Sequence, residues 1–171
     1  MRILVAGVGN VFLGDDGFGV EVARRLAGAR LPQGVEVGDY GIRGVHLAYE
    51  LTAGYDLVII VDTVPRGKAP GTLYVLEPSP AELAPAFVDA HDMTPQAVLT
   101  LALALTRSFT GRVLMVGCEP ADTSPGMDLS PAVARAVARA ADLVLDVIAE
   151  ETGEPAAPRP VPARREEEGR W

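Results

Sequence analysis

Residues 2–19 read RILVAGVGNVFLGDDGFG, an apolar run that leads into a glycine-rich loop containing two adjacent carboxylates, Asp15 and Asp16. The run over residues 2–8 predicts a buried β-strand, because it is short, continuous and apolar. Glycine permits backbone turns that other residues avoid, so the loop presents Asn10, Asp15 and Asp16 at the end of this strand. We therefore interpret the loop as a candidate site for chemistry.

Two nucleotide-binding motifs fit this loop poorly. A dinucleotide fingerprint needs a third glycine at position 12, where this chain has Phe12. A phosphate-binding loop would continue with Gly-Lys-Ser/Thr, and no such sequence follows. The adjacent carboxylates Asp15 and Asp16 also lie where a pyrophosphate needs backbone N–H donors and no negative charge. The loop therefore favours a cation, a water molecule or a proton as its partner.

Composition narrows the class of protein. The chain has 171 residues, of which 49% are hydrophobic, so it is long enough to bury one full core. Its formal net charge of −8 argues against nucleic acid as a partner. Its apolar runs are far shorter than the roughly 18 residues of a membrane span. We therefore expect no binding to membranes. A single cysteine, Cys118, excludes an internal disulfide, so we expect a cytoplasmic protein.

Strands and helices are predicted to alternate along the chain. Predicted strands cover residues 2–8, 35–40, 57–61, 71–77 and 112–117, and predicted helices cover 19–29, 43–53, 96–106 and 132–151. The run at 57–61 is rich in β-branched residues and predicts a central strand, whereas 71–77 predicts an edge strand. This order is typical of a three-layer α/β/α sandwich with a mostly parallel sheet.

The end of the chain has a different composition. Residues 153–171 are rich in proline and mixed charges and lack apolar periodicity, which predicts a disordered tail. The sequence therefore predicts a single domain over residues 1–152.

Three candidate site residues are expected at one edge of the sheet. In open α/β sheets, ligands bind beyond the carboxyl ends of the strands. Asp16 follows the first predicted strand, Asp62 ends the third, and His91 precedes the helix that starts at Thr94-Pro95. Two carboxylates and an imidazole suit a divalent transition metal, and they equally suit acid–base catalysis.

Simpler roles are open for several of these residues. Asp15 or Asp16 also suits the N-terminus of the following helix, as a cap. Asp62 is also compatible with a turn, and His91 with an ordinary loop. Outside this set, His46 is predicted at the surface and Cys118 in the packed interior, and Glu119 and Asp122 are weaker candidates at the same edge.

Several sequence blocks together resemble the hydrogenase maturation endopeptidases. They are the Gly-x-Gly-Asn-x4-Asp-Asp-Gly-x-Gly block at 7–19, Val-Asp-Thr at 61–63, His91 before a predicted helix, Gly-Cys-Glu-Pro at 117–120 and Met-Asp-Leu-Ser-Pro at 127–131. The opening block is quite specific to that family, and the later blocks follow in the right order. The resemblance extends from residue 1 to about residue 150 and leaves out the proline-rich tail.

The resemblance implies a protease that removes a short C-terminal peptide from the large-subunit precursor of a [NiFe] hydrogenase once nickel is inserted. It implies a five-stranded sheet with one antiparallel edge strand, between helices. It also implies that Asp16, Asp62 and His91 are the catalytic and metal-binding residues, with nickel supplied by the active site of the substrate. Many family members have glutamate at the first position, and Asp16 is one methylene shorter. An aspartic-type mechanism, with Asp15 or Asp16 as general base, is left open.

The sequence also predicts a substrate cleft and leaves two alternative functions open. Asn10 and the loop containing Asp39, Gly41 and Gly44 are expected to border the cleft, although a plain strand-to-helix turn explains the loop as well. One alternative function is a nickel-carrying accessory protein that uses the same three residues. Another is a flavodoxin-like module that binds a nucleotide or flavin. The adjacent carboxylates Asp15 and Asp16 argue against this alternative.

Overall fold

The computed structural model describes residues 1–78 and 111–154. Within these ranges lie five strands: β1 (Ile3–Val8), β2 (Val35–Gly41), β3 (Leu57–Thr63), β4 (Leu73–Leu76) and β5 (Arg112–Cys118). They also contain a short 3-10 helix (Gly14–Gly17) and three α-helices, α1 (Phe18–Ala27), α2 (Gly44–Leu51) and α3 (Pro131–Thr152). The predicted helix at 96–106, His91 and the tail from residue 155 onward lie outside the described residues.

The five strands form one sheet in the order β2-β1-β3-β5-β4. Strands β2, β1, β3 and β5 are parallel to one another, and β4 runs antiparallel to β5 at the edge. Strand β3 lies in the centre, and its residues from Leu57 to Asp62 are all buried. The structure therefore confirms the mostly parallel sheet, its antiparallel edge strand and the central position of the β-branched run.

Helices cover both faces of the sheet. Alternate residues of β1 point in opposite directions, so that Ile3 and Val5 join the cluster containing side chains of α1 and α3. Leu4 and Ala6 join the opposite cluster, which contains side chains of α2. Two separate apolar cores follow from this alternation, and they confirm the three-layer sandwich.

The ends of several elements differ from the sequence prediction. Strand β3 continues beyond the apolar run at 57–61 and past Asp62 to Thr63, because Asp62 and Thr63 still pair with Gly117 and Cys118 of β5. Helix α1 covers 18–27 rather than 19–29, and α2 covers 44–51 rather than 43–53. Helix α3 begins at Pro131, directly after Ser130, as the Ser-Pro start signal predicts. Asp62 is therefore a member of the sheet rather than a turn residue after it.

None of the helices in the described ranges is both long enough and apolar enough to span a membrane.

Candidate active site at the carboxyl edge of the sheet

The glycine-rich loop packs directly against the ends of β1 and β3. Gly9 has a φ of 128°, and a Cβ atom there would lie 1.8 Å from the backbone oxygen of Asp16. A Cβ atom at Gly19 would lie 2.1 Å from the backbone oxygen of Val61. These glycines permit the close backbone approach that places the 3-10 helix beside the carboxyl end of β3.

Asp16 extends from this 3-10 helix toward β3. Its Oδ2 accepts a hydrogen bond of 2.7 Å from the backbone N–H of Asn10, and its Oδ1 lies 3.4 Å from the hydroxyl oxygen of Thr63. The side chain is half-buried, so it remains open to a ligand. The hydroxyl group of Thr63, the last residue of β3, is therefore the point where the loop meets the central strand.

We call Asp16 and Asp62 the acid pair. Asp62 is its buried member, with 8% of its surface exposed. Its Oδ1 accepts a hydrogen bond of 2.7 Å from the backbone N–H of Thr63. Burial, reinforced by the nearby negative charge of Asp16, raises the pKa of Asp62 to about 8, although the hydrogen bonds from Thr63 act in the opposite direction. The pair thus carries a proton at neutral pH or favours a bound cation in its place.

The structure brings together two of the three predicted ligands. Asp16 and Asp62 both reach Thr63 at the carboxyl edge of the sheet. His91, the third, lies outside the described residues. Among residues 1–78 and 111–154, no group of three or more histidine, cysteine, aspartate or glutamate side chains is arranged to hold a metal ion. The complete three-residue set remains a prediction.

Asp15 does not cap the following helix, which corrects one of the simpler interpretations above. Helix α1 begins after Gly17 without a side-chain cap. The Asp15 carboxylate instead accepts hydrogen bonds from the backbone N–H groups of Ala121 (2.8 Å), Asp122 (2.9 Å) and Ser130 (2.6 Å), and from the Ser130 hydroxyl (2.9 Å). Asp16 does not cap α1 either, because its carboxylate is directed to Asn10 and Thr63.

The hydrogen bonds of Asp15 outweigh the cost of its burial. Burial alone would raise the pKa of this carboxyl group, but the bonds from Asp122, Ser130 and Ala121 lower it below its ordinary value. These partners lie 106 to 115 residues away in the chain. No local sequence pattern identifies contacts at that separation, so the sequence analysis missed this role.

Glu119 also has a structural set of partners. It is 5% exposed and accepts hydrogen bonds from the backbone N–H groups of Arg66 and Gly67 and from the Tyr74 hydroxyl. These contacts fix the connection between β3 and β4. Asp122 is exposed, and its carboxylate accepts a hydrogen bond from the Ser124 N–H. The contacts of both residues explain them as structural groups.

The predicted cleft residues occupy different positions. Asn10 and Gly41 border the Asp16 loop: the Asn10 side chain accepts a hydrogen bond from Phe12 N–H, and Gly41 accepts one from Gly9 N–H. Asp39 lies 3.5 Å from the Arg24 guanidinium, and Gly44 is the buried first residue of α2. Their role in binding a substrate remains a prediction.

Two further predictions concern residues outside this site. His46 is exposed on α2, as predicted. Cys118 is fully buried, and burial, reinforced by the charge of Asp15, raises the pKa of its thiol to about 11. A thiol with this pKa remains protonated at neutral pH, which agrees with a packing role.

A cavity of about 390 Å³ lies beside the Asp16 loop. Its lining combines apolar and acidic side chains with Gly17, the residue that follows Asp16. The lining residues are Val11, Gly17, Glu21, Met127, Asp128, Leu129 and Ala134. The cavity therefore adjoins the loop that carries half of the acid pair.

Comparison with known protein families identifies the chain. The family described as hydrogenase maturation protease (HycI) matches residues 20–147. The chain belongs to the hydrogenase maturation protease family. The hydrogenase 2 maturation protease of Escherichia coli K12 is 36% identical over 165 residues, which cover 93% of this chain and 97% of that protein.

Solved structures of other maturation proteases agree with this assignment. The hydrogenase maturating endopeptidase HybD from E. coli is 33% identical, with a TM-score of 0.71 over 90% of this chain and 94% of that one. The [NiFe] hydrogenase maturation protease HycI from Thermococcus kodakarensis KOD1 is 26% identical, with a TM-score of 0.69 over 86% of this chain and 92% of that one. This maturation protease is therefore a peptidase, and the family assignment favours that function over the flavin-binding alternative.

Proposed function

We propose that this maturation protease removes a short C-terminal peptide from the large-subunit precursor of a [NiFe] hydrogenase after nickel has been inserted. The single observation that carries the proposal is the acid pair, Asp16 and Asp62, which meet at Thr63 beside an accessible edge of the sheet. Membership of the maturation protease family supplies the class of substrate. We also propose a cytoplasmic location, because a chain with a single cysteine, Cys118, suits a reducing compartment.

The nickel of the precursor belongs to the substrate in this proposal. Asp16, Asp62 and His91 offer two carboxylates and an imidazole, which are suitable ligands for a divalent transition metal. The buried position of Asp62 and the adjacent charge of Asp16 make a second negative charge unfavourable in the free protein. A cation at this edge would offset that charge, so the site should bind a precursor that already holds nickel more tightly than one without nickel.

Hydrolysis then adds water across the scissile peptide bond. The water oxygen attacks the carbonyl carbon, a carboxylate of the acid pair accepts the water proton, and the departing amine takes up a proton as the C–N bond breaks. Asp16 is the more accessible of the two carboxylates and suits contact with the substrate. Asp62 suits the role of the group that holds or releases a proton near neutral pH.

The first experiment is cleavage of the nickel-loaded precursor by variants of the predicted triad. We expect Asp16→Ala, Asp62→Ala and His91→Ala each to lower the cleavage rate by at least about 100-fold, as loss of a catalytic carboxylate or imidazole typically does. Glu150→Gln, a change of an exposed acid on α3 that is not among the residues lining the cavity, is the matched control and should cleave like the unmodified protein. Full cleavage by all three triad variants would contradict the assigned roles.

A second experiment separates nickel recognition from an aspartic-type mechanism. The precursor is offered with and without nickel, and the rate is followed from pH 5 to pH 9. Nickel recognition predicts cleavage of the loaded precursor alone. Equal cleavage of both forms, with a loss of rate above about pH 8, would instead support an acid–base role of the pair without nickel. Tight nickel binding without any cleavage would support the nickel-carrying alternative.

A further inference from the structure

Asp15 is the most enclosed acidic side chain within the described ranges, and the proposed reaction does not use it directly. It has no exposed surface, whereas Glu119 and Asp62 retain 5% and 8%. Its carboxylate accepts four hydrogen bonds, all from the connection between β5 and α3. We call the part of this connection that contacts Asp15, residues 121–130, the β5–α3 loop. Asp15 is thus the link between that loop and the 3-10 helix.

Backbone hydrogen bonds reinforce the same link. The N–H groups of Gly14 and Asp15 donate to the carbonyl oxygens of Gly126 (2.8 Å) and Asp122 (2.9 Å). In return, the N–H of Gly126 donates to the carbonyl oxygen of Phe12 (2.9 Å). A 3-10 helix of four residues has few hydrogen bonds of its own. Its position therefore depends on the β5–α3 loop.

Asp16 follows Asp15 directly and has its carboxylate on the opposite side, toward β3. Its hydrogen bond from Asn10 and its approach to Thr63 depend on where the 3-10 helix lies. A displacement of about 1 Å in a reacting group can lower a rate by about 100-fold. The geometry of Asp16 is thus sensitive to the contacts that its neighbour makes.

We infer that Asp15 is a positioning residue for proteolysis: by holding the 3-10 helix on the β5–α3 loop, it sets the Asp16 carboxylate opposite Asp62. This inference rests on the proposed function. Asp15 is fully enclosed and acts through Asp16, without contact with the substrate. The β5–α3 loop, which also supplies Met127, Asp128 and Leu129 to the neighbouring cavity, thereby becomes part of the catalytic architecture.

The test compares Asp15→Asn with Glu119→Gln in cleavage of the precursor. Asp15→Asn keeps the size of the side chain but places an NH2 group against N–H donors. Glu119→Gln likewise places an NH2 group against hydrogen-bond donors around a buried carboxylate. Those donors belong to Arg66, Gly67 and Tyr74, so this carboxylate holds the connection between β3 and β4. Well below the melting temperature of either variant, Asp15→Asn should lower kcat by about 10- to 100-fold and leave KM within about twofold. Glu119→Gln should keep the unmodified kcat.

A second readout needs no precursor. The amide proton of Asn10 donates the 2.7 Å hydrogen bond to Asp16, so its NMR chemical shift and its exchange rate with solvent report the position of that carboxylate. Asp15→Asn should shift this resonance upfield and speed its exchange, and Glu119→Gln should leave both unchanged. If Asp15→Asn does not fold, Ser130→Ala removes one donor and should change the same signals in the same direction, by less.

The two readouts distinguish failure of the inference from failure of the proposed function. An unmodified protein that cleaves no precursor, loaded or not, overturns the proposed function, while the Asn10 resonance still tests the link. A folded Asp15→Asn variant with unmodified kcat or an unmodified Asn10 resonance overturns the inference. Equal losses of kcat in Asp15→Asn and Glu119→Gln also overturn it, because they would reflect general destabilisation.

Discussion

At the scale of single residues, three carboxylates near one edge of the sheet have different environments. Asp15 is surrounded by hydrogen-bond donors that favour its charged form. Asp62 is also buried, but within residues 1–78 and 111–154 its hydrogen bonds come from Thr63, and it lies beside the charge of Asp16. Burial by itself therefore does not determine the protonation of these groups. The hydrogen-bond donors and the charges around each carboxylate decide it together with burial.

The raised pKa of Asp62 predicts a pH-dependent effect of Asp62→Asn on stability. In unfolded chains an aspartate loses its proton near pH 3.8, whereas Asp62 in the folded protein keeps it up to about pH 8. The unmodified protein thus loses stability as the pH rises between these values, because the folded state binds the extra proton. Asp62→Asn cannot ionise, so its advantage should be absent near pH 4 and largest above pH 8.

Thermal unfolding of the metal-free protein measures this effect. We expect the Tm of Asp62→Asn to equal that of the unmodified protein at pH 4 and to exceed it by several degrees at pH 9, since about 1 kcal/mol shifts Tm by about 2–4 °C in a chain of this size. Asp128→Asn, at an exposed position, is the control and should show no such trend. A constant Tm difference across the pH range would contradict the raised pKa.

At the scale of elements, the backbone of the glycine-rich loop lies in very close contact with the backbone of the 3-10 helix. Gly9 combines a positive φ with a carbonyl oxygen 1.8 Å from the position of a Cβ atom. Gly54 also has a positive φ, of 81°, but a Cβ atom there would have no neighbour within 4 Å among the residues that the structure describes. The pair of glycines separates the cost of backbone conformation from the cost of a steric clash.

Gly9→Ala should therefore destabilise the protein much more than Gly54→Ala. The left-handed conformation alone costs a residue with a side chain roughly 1–2 kcal/mol, which is the expected effect of Gly54→Ala. Gly9→Ala adds the clash with Asp16, so its free energy of unfolding should fall by more than about 3 kcal/mol. Denaturant titration measures both. Equal effects would show that the loop relaxes away from Asp16.

The strands differ in how much they contribute to the core. Ile59 in the central strand β3 is fully buried, whereas Val75 in the edge strand β4 is 45% exposed. Ile59→Ala should lower the free energy of unfolding by about 2–5 kcal/mol, because it leaves a cavity that the core cannot fill. Val75→Ala should cost less than about 1 kcal/mol. Similar costs in denaturant titrations would contradict the central position of β3.

At the scale of the whole molecule, the domain boundary predicted near residue 152 coincides with the end of α3. Helix α3 ends at Thr152, and Gly153 follows with a φ of 69° while its N–H donates to Ala149. This is a standard helix end with a left-handed glycine. Helix α3 therefore ends with a backbone cap of its own at the predicted boundary.

Removal of residues 155–171 should consequently leave folding and cleavage unchanged. We expect a chain that ends at Glu154 to melt within about 2 °C of the full chain, a difference below about 1 kcal/mol. It should also cleave the precursor at the same rate. A large drop in Tm would assign the tail to the domain, and a lower rate at unchanged Tm would assign it to substrate binding.

Much of the fold follows from local pattern. The strand at 57–61 and the helix start at Ser130-Pro131 are recognisable because buried strands and helix ends have short-range signals in composition and spacing. Asp16 and Asp62 were predicted at the same sheet edge because parallel strands share a carboxyl end. The apolar run at 57–61 does not fix the last residue of β3, since pairing with β5 through Thr63 decides where the strand ends.

The sequence alone determined the α/β class, the order of the strands and helices along the chain and the acid pair as the candidate site. Only the tertiary structure decided what each carboxylate contacts. Asp15 and Asp16 are adjacent and chemically identical, yet one is enclosed by donors from the β5–α3 loop and the other faces Thr63. Burial and hydrogen bonding across more than 100 residues arise from packing, which no local pattern records.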